Sequence, residues 1–174
     1  EYAQRWGTFL RHPELHDLLE RHGKKLVFLP HANAAPYIEA FALPPCIEVA
    51  TAEKTSIQKL FARSATLVTD YTSVAFTFAL LRRTVFYYQF DRESFYGGNH
   101  NWREGYFSYE RDGFGPVCFN QQELLMQIRR FLENGARAEP EYLARMEHAM
   151  PDVDGQSCER LFKEIVNIRQ PYAQ

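Results

Sequence analysis

The sequence predicts an α/β fold in which a mostly parallel β-sheet is covered by helices on both faces. Two observations lead to this prediction. Short apolar runs rich in β-branched and aromatic residues alternate along the chain with longer segments of helical periodicity. The chain also contains no internal repeat or low-complexity segment, so one α/β domain with a single sheet accounts for the whole pattern.

The composition is that of one globular domain. The chain has 174 residues and a net charge of −2 with no basic block, which argues against a nucleic-acid partner. Cys46, Cys118 and Cys158 are far apart in the sequence, so we expect neither a disulfide framework nor a zinc site. This use of cysteine predicts a reducing, cytoplasmic setting. No apolar run reaches membrane-span length and no signal peptide is visible. Because the chain begins with Glu1, we expect a fragment of a longer protein.

Two helices are predicted before the first strand. Residues 2–10 place Tyr2, Trp6 and Phe9 on one side of a helix, and Pro13 suits the start of a second helix that Gly23 ends. The elements predicted next are a buried strand over 25–29, a short helix over 36–41, a short strand over 47–50 and a helix that Thr55 or Ser56 caps and that runs through residue 63.

Three strands and four helices are predicted in the rest of the chain. The strands cover residues 66–69, 84–88 and 117–119, and the helices cover 72–82, 121–133, 139–150 and 157–168. Asn120 is the expected cap of the helix that follows it. Residues 91–115 are rich in glycine and aromatics and are predicted to form a long irregular loop, which in a compact domain is more often functional than not.

The segment after the strand at 66–69 carries the clearest functional signal. The strand ends in Asp70, the hydroxyl pair Thr72 and Ser73 follows, and an apolar helical segment begins at Val74. Free backbone N–H groups and the positive end of the helix dipole would meet there, at the carboxyl end of a strand, where anions are favoured. We therefore predict a phosphate or diphosphate seat, with Asp70 bracing the turn. The alternative is an ordinary N-capped helix.

His31 is the second candidate site residue. It follows the buried strand at 25–29, and a histidine in this position can donate a hydrogen bond to a phosphate or act as an acid–base group. The alternative is a loop histidine packed by its neighbours. Since the carboxyl ends of parallel strands meet at one edge of a sheet, we expect His31 and the Thr72–Ser73 turn to face one crevice.

The loop at 99–116 offers further charged residues among aromatics. Arg111 could pair with a phosphate, and His100, Arg103 and Glu110 lie in the same stretch. Internal salt bridges that pin the loop are the equally weighted alternative. The chain has neither a Walker A motif nor a G-x-G-x-x-G fingerprint, so P-loop hydrolysis and dinucleotide binding are not supported.

Four segments, in order along the chain, resemble the CDP-glycerol glycerophosphotransferase family. Residues 67–76, L-V-T-D-Y-T-S-V-A-F, resemble its I-T-D-Y-S-S-V-x-F segment, and residues 28–31 resemble its strand ending in x-x-H. Residues 82–91 resemble its K-R/K-P-x-x-F/Y-Y-x-x-D segment. Residues 105–107 together with 112–117 resemble its G-Y/F-x-x-Y…G-P-V stretch.

The resemblance implies a Rossmann-like parallel sheet in the C-terminal half of a GT-B type fold. Residues 1–174 would then be a single nucleotide-donor-binding domain, a fragment of a larger two-domain enzyme. Such bacterial enzymes build teichoic acid or capsule polymers by transferring glycerol phosphate, or ribitol phosphate, from a CDP-activated donor to a polyol hydroxyl. The partners implied are CDP-glycerol or a related CDP-polyol, and a polymer acceptor held by the missing domain.

The resemblance also assigns roles to single residues. His31 would be catalytic, and Tyr71, Thr72, Ser73 and Arg111 would bind the donor diphosphate, with no metal and no cofactor. A second histidine, the family's candidate general base, would lie on the missing domain, so this chain alone is expected to be inactive. The full-length protein is expected in the cytoplasm, peripherally bound at the inner membrane surface.

The chain departs from the family pattern at several positions. Thr77 and Ser108 stand where the family has an aspartate, and Leu29 stands where it has an arginine. The loss of two carboxylates leaves the polyol that the donor carries undetermined. The loss of the arginine weakens one possible contact to a phosphate. Two other functions therefore stay open, namely a non-catalytic nucleotide- or anion-binding α/β module and a GT-B glycosyltransferase that uses a nucleotide sugar.

Overall fold

The computed structural model describes residues 1–31, 33–51, 55–97 and 105–169. The first eight elements are α1 (Tyr2–Leu10), α2 (Pro13–Arg21), β1 (Val27–Phe28), a 3₁₀-helix (Ala35–Phe41), β2 (Glu48–Val49), α3 (Ile57–Arg63), β3 (Leu67–Thr69) and α4 (Val74–Leu80). The others are β4 (Val85–Tyr88), α5 (Arg92–Tyr96), α6 (Tyr109–Asp112), β5 (Val117–Cys118), α7 (Gln121–Glu133), α8 (Pro140–Ala149) and α9 (Ser157–Arg169).

All strand pairing between the described residues is parallel, as predicted, but it forms two sheets where one was expected. β1 pairs with β2, and β3, β4 and β5 form a second sheet with β4 in the middle. β1 is shorter than the predicted strand, and it is followed by Pro30, which has no N–H to extend a ladder. Phe28 of β1 and Val68 of β3 pack against the same core cluster, so the two sheets share a core.

Strand β4 separates two hydrophobic cores. Its four residues are at most 2% exposed, and because side chains alternate across a strand they point to opposite faces. Phe86 and Tyr88 belong to the core that α1, α2 and α7 cover, whereas Val85 and Tyr87 belong to the core that α4 and α8 cover. The prediction of helices on both faces of a parallel sheet is therefore confirmed.

Local side chains fix several helix ends. Ser56, one of the two predicted caps, accepts a hydrogen bond from the Lys59 N–H and starts α3. The Arg83 guanidinium donates to the carbonyl oxygens of Phe61 and Ala62 at the other end of α3, at 2.7 and 2.8 Å. Asn120 caps α7 as predicted, through a 2.9 Å hydrogen bond from the Glu123 N–H.

The segment predicted as an irregular loop over residues 91–115 contains two short helices, α5 and α6, among its described residues. Ser108 begins α6 by accepting the Arg111 N–H, and the Asp112 carboxylate accepts the Ser108 N–H at 2.8 Å. Helices of four or five residues complete hardly more than one turn, so they leave no apolar periodicity for a sequence pattern to detect.

The two last helices differ in how they are packed. α8 buries Met146 in the second core, whereas the apolar side chains of α9, including Leu161, Phe162 and Ile165, remain exposed. Among the helices formed by described residues, none has both the length and the apolarity that a membrane span requires.

Glycine at position 115 is required by close packing of the chain against β4. The Val85 N–H donates to the Phe114 carbonyl at 3.1 Å, which brings the backbone of Gly115 against the same strand. A Cβ atom at Gly115 would lie 2.0 Å from the Val85 carbonyl oxygen and 3.0 Å from the Thr84 methyl carbon. Since the obstacle is backbone of a buried strand, it cannot move aside without disturbing the sheet.

We predict that Gly115→Ala lowers the free energy of unfolding by about 3 kcal/mol, the upper end of the usual cost of overpacking. Urea denaturation followed by circular dichroism measures it. The matched control is Gly105→Ala, because a Cβ there meets nothing within 4 Å, and a change within about 0.5 kcal/mol is expected. Equal stability of the two variants would contradict this account of β4 packing.

Candidate functional site

Asp70 braces the turn between β3 and α4, as the sequence predicts. Its Oδ1 accepts the Tyr71 N–H at 2.7 Å, and its Oδ2 accepts the Tyr2 hydroxyl at 2.5 Å. Burial, followed by the charge of Asp70, raises the pKa of the Tyr2 phenol, which therefore stays a donor. The carboxylate is thus turned towards α1 and held there by two donors.

The two hydroxyls of the turn have different surroundings. Thr72 Oγ1 accepts the Val74 N–H at 3.2 Å, whereas the Ser73 side chain makes no cap hydrogen bond and is exposed. The predicted helix over residues 72–82 begins only at Val74, because Ser73 takes the N-cap position. In the described part of the chain, no acceptor is bonded to the backbone N–H of Thr72 or Ser73. This turn therefore offers two N–H donors and one hydroxyl.

Tyr71 is fixed by aromatic packing beside the turn. Its ring stacks on Phe95 at a centroid distance of 3.6 Å and an interplanar angle of 4°, and it meets the edges of Tyr96 and Tyr109. Its hydroxyl donates to Asp91 at 3.3 Å. Burial and the neighbouring Asp91 carboxylate raise the pKa of this phenol. The hydroxyl that we predicted to bind a diphosphate is thus already bonded to a carboxylate.

His31 lies in a tight, exposed turn beyond β1. Its carbonyl oxygen accepts the N–H groups of Ala34 and Ala35 at 2.8 and 3.0 Å, and its Nδ1 accepts the Asn33 N–H at 3.2 Å. An imidazole that accepts at Nδ1 carries its proton on Nε2. The Nε2–H is therefore available as a donor, which suits a phosphate oxygen.

The crevice that His31 would share with the Thr72–Ser73 turn remains a prediction. Both groups follow the carboxyl ends of parallel strands, as expected, but β1 and β3 belong to different sheets. The link between them is the core cluster against which Phe28 and Val68 both pack.

Arg111 forms the internal contacts that were the alternative to phosphate binding. Its guanidinium donates to both carboxylate oxygens of Asp112, at 2.8 and 2.7 Å, and to the Tyr106 carbonyl at 2.6 Å. The hydrogen bonds from the Arg111 guanidinium and from the Ser108 N–H lower the pKa of the Asp112 carboxyl to about 2. Glu110 forms a hydrogen-bonded ion pair with Arg92, which lowers the pKa of the Glu110 carboxyl. His100 and Arg103, predicted for the same stretch, lie outside the described residues.

Gln89 is a polar residue that the sequence reading did not single out. It directly follows β4 and is 1% exposed, and neither its Oε1 nor its Nε2 has a hydrogen-bond partner in the described structure. The signal in the sequence was a single amide inside the apolar run of residues 85–90. In the described ranges, no group of three or more His, Cys, Asp or Glu side chains is arranged to hold a metal ion.

Comparison with known proteins identifies the family. Residues 14–167 match the model of the CDP-glycerol:poly(glycerophosphate) glycerophosphotransferase family. Over 168 residues the chain is 27% identical to the minor teichoic acid biosynthesis protein GgaB of Bacillus subtilis (strain 168), covering 97% of this chain and 18% of that protein.

Solved structures of the wall teichoic acid polymerase TagF are similar in fold. One of these structures covers 94% of this chain and 39% of the TagF chain, with a TM-score of 0.62 and 18% sequence identity. The structure of a TagF variant with one histidine replaced by alanine covers 91% of this chain and 39% of the TagF chain, with a TM-score of 0.57 and 17% identity. These likenesses support the α/β architecture of GT-B type. The chain spans well under half the length of these relatives. Its sequence over residues 14–167 shows that the chain belongs to the CDP-glycerol:poly(glycerophosphate) glycerophosphotransferase family.

Proposed function

We propose that residues 1–174 are the donor-binding domain, the C-terminal half, of a GT-B type transferase. It moves glycerol phosphate or ribitol phosphate from a CDP-activated donor to a growing polyol-phosphate or capsule polymer. The observation that carries this proposal is that the family match, residues 14–167, includes both polar strand ends, at His31 and at the Thr72–Ser73 turn. The names of the relatives, a minor teichoic acid biosynthesis protein and a wall teichoic acid polymerase, support a polymer of this kind as the acceptor.

The turn after β3 is the proposed seat of the donor diphosphate. The N–H groups of Thr72 and Ser73 have no acceptor among the described residues, and the hydroxyl of Ser73 is exposed beside them. Backbone N–H groups of this kind bind phosphate oxygens well because their positions are fixed before the ligand arrives. Since Asp70 is turned away and bonded to Tyr2, its charge is partly offset by two donors.

In the proposed reaction, an acceptor hydroxyl oxygen forms a bond to the β-phosphorus of the donor. The bond from that phosphorus to the bridging oxygen breaks in line, and CMP leaves with the bridging oxygen. Such chemistry depends on positioning and on neutralising charge. The Nε2–H of His31 would donate to the leaving phosphate, and the turn would hold the diphosphate. The proton of the acceptor hydroxyl would go to a base on the domain that binds the acceptor.

Arg111 and Tyr71 have supporting roles in this proposal. In the absence of ligand the Arg111 guanidinium pairs with Asp112, and the Tyr71 hydroxyl is bonded to Asp91. Arg111 is exposed, so one of its N–H groups would have to exchange a bond in order to reach a phosphate. For the full-length protein we propose a cytoplasmic location with peripheral attachment to the inner membrane surface, where a membrane-bound polymer would be extended.

We predict that the chain binds CDP-glycerol or CDP-ribitol more tightly than a UDP-sugar and releases no CMP. Isothermal titration with CDP-glycerol, CDP-ribitol, a UDP-sugar and inorganic diphosphate measures binding. Chromatography of CDP-glycerol incubated with a polyol acceptor measures the release of CMP. The reason is that the acceptor domain and its base are not on this chain. Tighter binding of the UDP-sugar would favour a glycosyltransferase, equal binding of inorganic diphosphate would favour an anion-binding module, and CMP release above the protein-free rate would contradict the fragment's inactivity.

His31→Ala is expected to weaken CDP-glycerol binding by about 1.5–3 kcal/mol, the usual range for a hydrogen bond to a charged group. The fold should be unaffected, because the side chain is exposed and, among the described residues, is hydrogen-bonded only to the Asn33 N–H. The matched control is His148→Ala, an exposed histidine on α8. A lower thermal midpoint with unchanged affinity would make His31 a structural residue.

Two substitutions at Ser73 separate its hydroxyl from its backbone N–H. Ser73→Ala removes one neutral hydrogen bond and should cost about 0.5–1.5 kcal/mol of binding free energy. Ser73→Pro also removes the backbone N–H, and the φ of −69° at Ser73 is one that proline adopts. We therefore expect the proline variant to bind CDP-glycerol more weakly than the alanine variant, with circular dichroism confirming that both are folded. If neither change affects the affinity, the diphosphate seat is elsewhere.

A further inference from the structure

The side-chain amide of Gln89 is buried and has no hydrogen-bond partner among the described residues. Its side chain is 1% exposed, and in the ranges that the structure describes both Oε1 and Nε2 are unpaired. An amide can donate two hydrogen bonds and accept two, so all of its capacity is unused. A buried polar group left in this state destabilises the fold, and its usual explanation is a partner from outside the chain.

The position of Gln89 is the edge of the sheet at which ligands bind. Its N–H donates to the Cys118 carbonyl at 2.9 Å, so strand pairing with β5 continues to this residue. On the other side, the parallel register that pairs Thr69 with Tyr87 leads on to Tyr71 beside Gln89. Gln89 therefore lies at the carboxyl end of the central strand, next to the turn that carries Thr72 and Ser73.

The side chain of Gln89 lies on the face that α4 covers. Alternation along the strand places Gln89 on the same face as Val85 and Tyr87, and these two pack in one core with Ala75 and Phe78 of α4. Because α4 begins directly after the Thr72–Ser73 turn, its first residues lie at the end of the sheet where Gln89 is found. The amide therefore lies on the α4 side of the sheet, at the same strand end as the proposed diphosphate seat.

We propose that Gln89 is a specificity-determining residue that hydrogen-bonds the hydroxyl-bearing polyol arm of the donor, an inference that rests on the proposed function. A polyol hydroxyl both donates and accepts, so it can satisfy Oε1 and Nε2 together, whereas a phosphate oxygen only accepts. A nucleobase would need a ring-sized opening beside a side chain that is almost wholly buried. A hydroxyl needs little more space than a water molecule.

The test compares two apolar replacements at opposite ends of β4. Gln89→Met removes the amide with little change of shape. Thr84→Val is the matched control, because Thr84 is also buried, at 4% exposure, and its Oγ1 is likewise unpaired. Isothermal titration of the 174-residue chain measures the Kd of CDP-glycerol and of CDP, which lacks only the polyol. Thermal unfolding without ligand measures stability.

Both variants should unfold at the same temperature as the original chain or at a higher one, since each loses an unpaired buried polar group. Only Gln89→Met should raise the Kd of CDP-glycerol, by about tenfold for the loss of two neutral hydrogen bonds. Its Kd for CDP should stay within about twofold, a smaller change than the loss of one such bond would cause. If the methionine variant does not fold, the same measurements are made on Gln89→Leu.

Three results would overturn the inference. An unchanged Kd for CDP-glycerol in the Gln89 variant would mean that the amide holds a buried water and no donor group. An equal loss of affinity for CDP and CDP-glycerol would assign the amide to the nucleoside diphosphate. If the original chain binds neither ligand, the proposed function fails together with this inference, whereas the first two results leave the proposed function intact.

Discussion

Strand β4 is buried on both faces and hydrogen-bonded along both edges, and the other elements are arranged around it. Phe86 and Tyr88 anchor one core and Val85 and Tyr87 the other, so a change at any of the four reaches a whole layer of helices. The close approach of the chain at Gly115 to the Val85 carbonyl is part of the same constraint. What the strand presents at its carboxyl end is consequently held in a fixed position.

The turn after β3, which we propose as the anion seat, lies at that edge of the sheet. Asp70, the charge that would repel a phosphate, is bonded to the Tyr2 hydroxyl and the Tyr71 N–H. The Tyr2 contact joins α1 to a turn 68 residues away, and Tyr71 is locked on the other side by stacking on Phe95. The turn is therefore held from two directions while the N–H groups of Thr72 and Ser73 stay available.

The charged residues after the turn are bonded to one another and to backbone carbonyls. Arg111 is bonded to Asp112, Arg92 to Glu110, and the Arg145 guanidinium donates to the carbonyls of Glu110 and Gly113 at 3.0 and 3.1 Å. The contacts of Arg92 and Arg145 hold α6 against α5 and α8. Charge neutralisation at the candidate site would then rest chiefly on backbone N–H groups and on His31, with Arg111 joining only by exchanging a partner.

The sequence alone determined the family, the parallel α/β architecture, the helix over residues 121–133 with its Asn120 cap and the bracing role of Asp70. Each of these is signalled by a pattern of residues within short segments of the chain. It did not reveal that β1 and β3 lie in separate sheets, that Arg111 is paired internally, or that Gln89 is buried without a partner. These features depend on which segments meet in space. An arginine next to an aspartate can bind a ligand or its neighbour, and a glutamine in an apolar run can be exposed or buried, until packing around β4 decides between them.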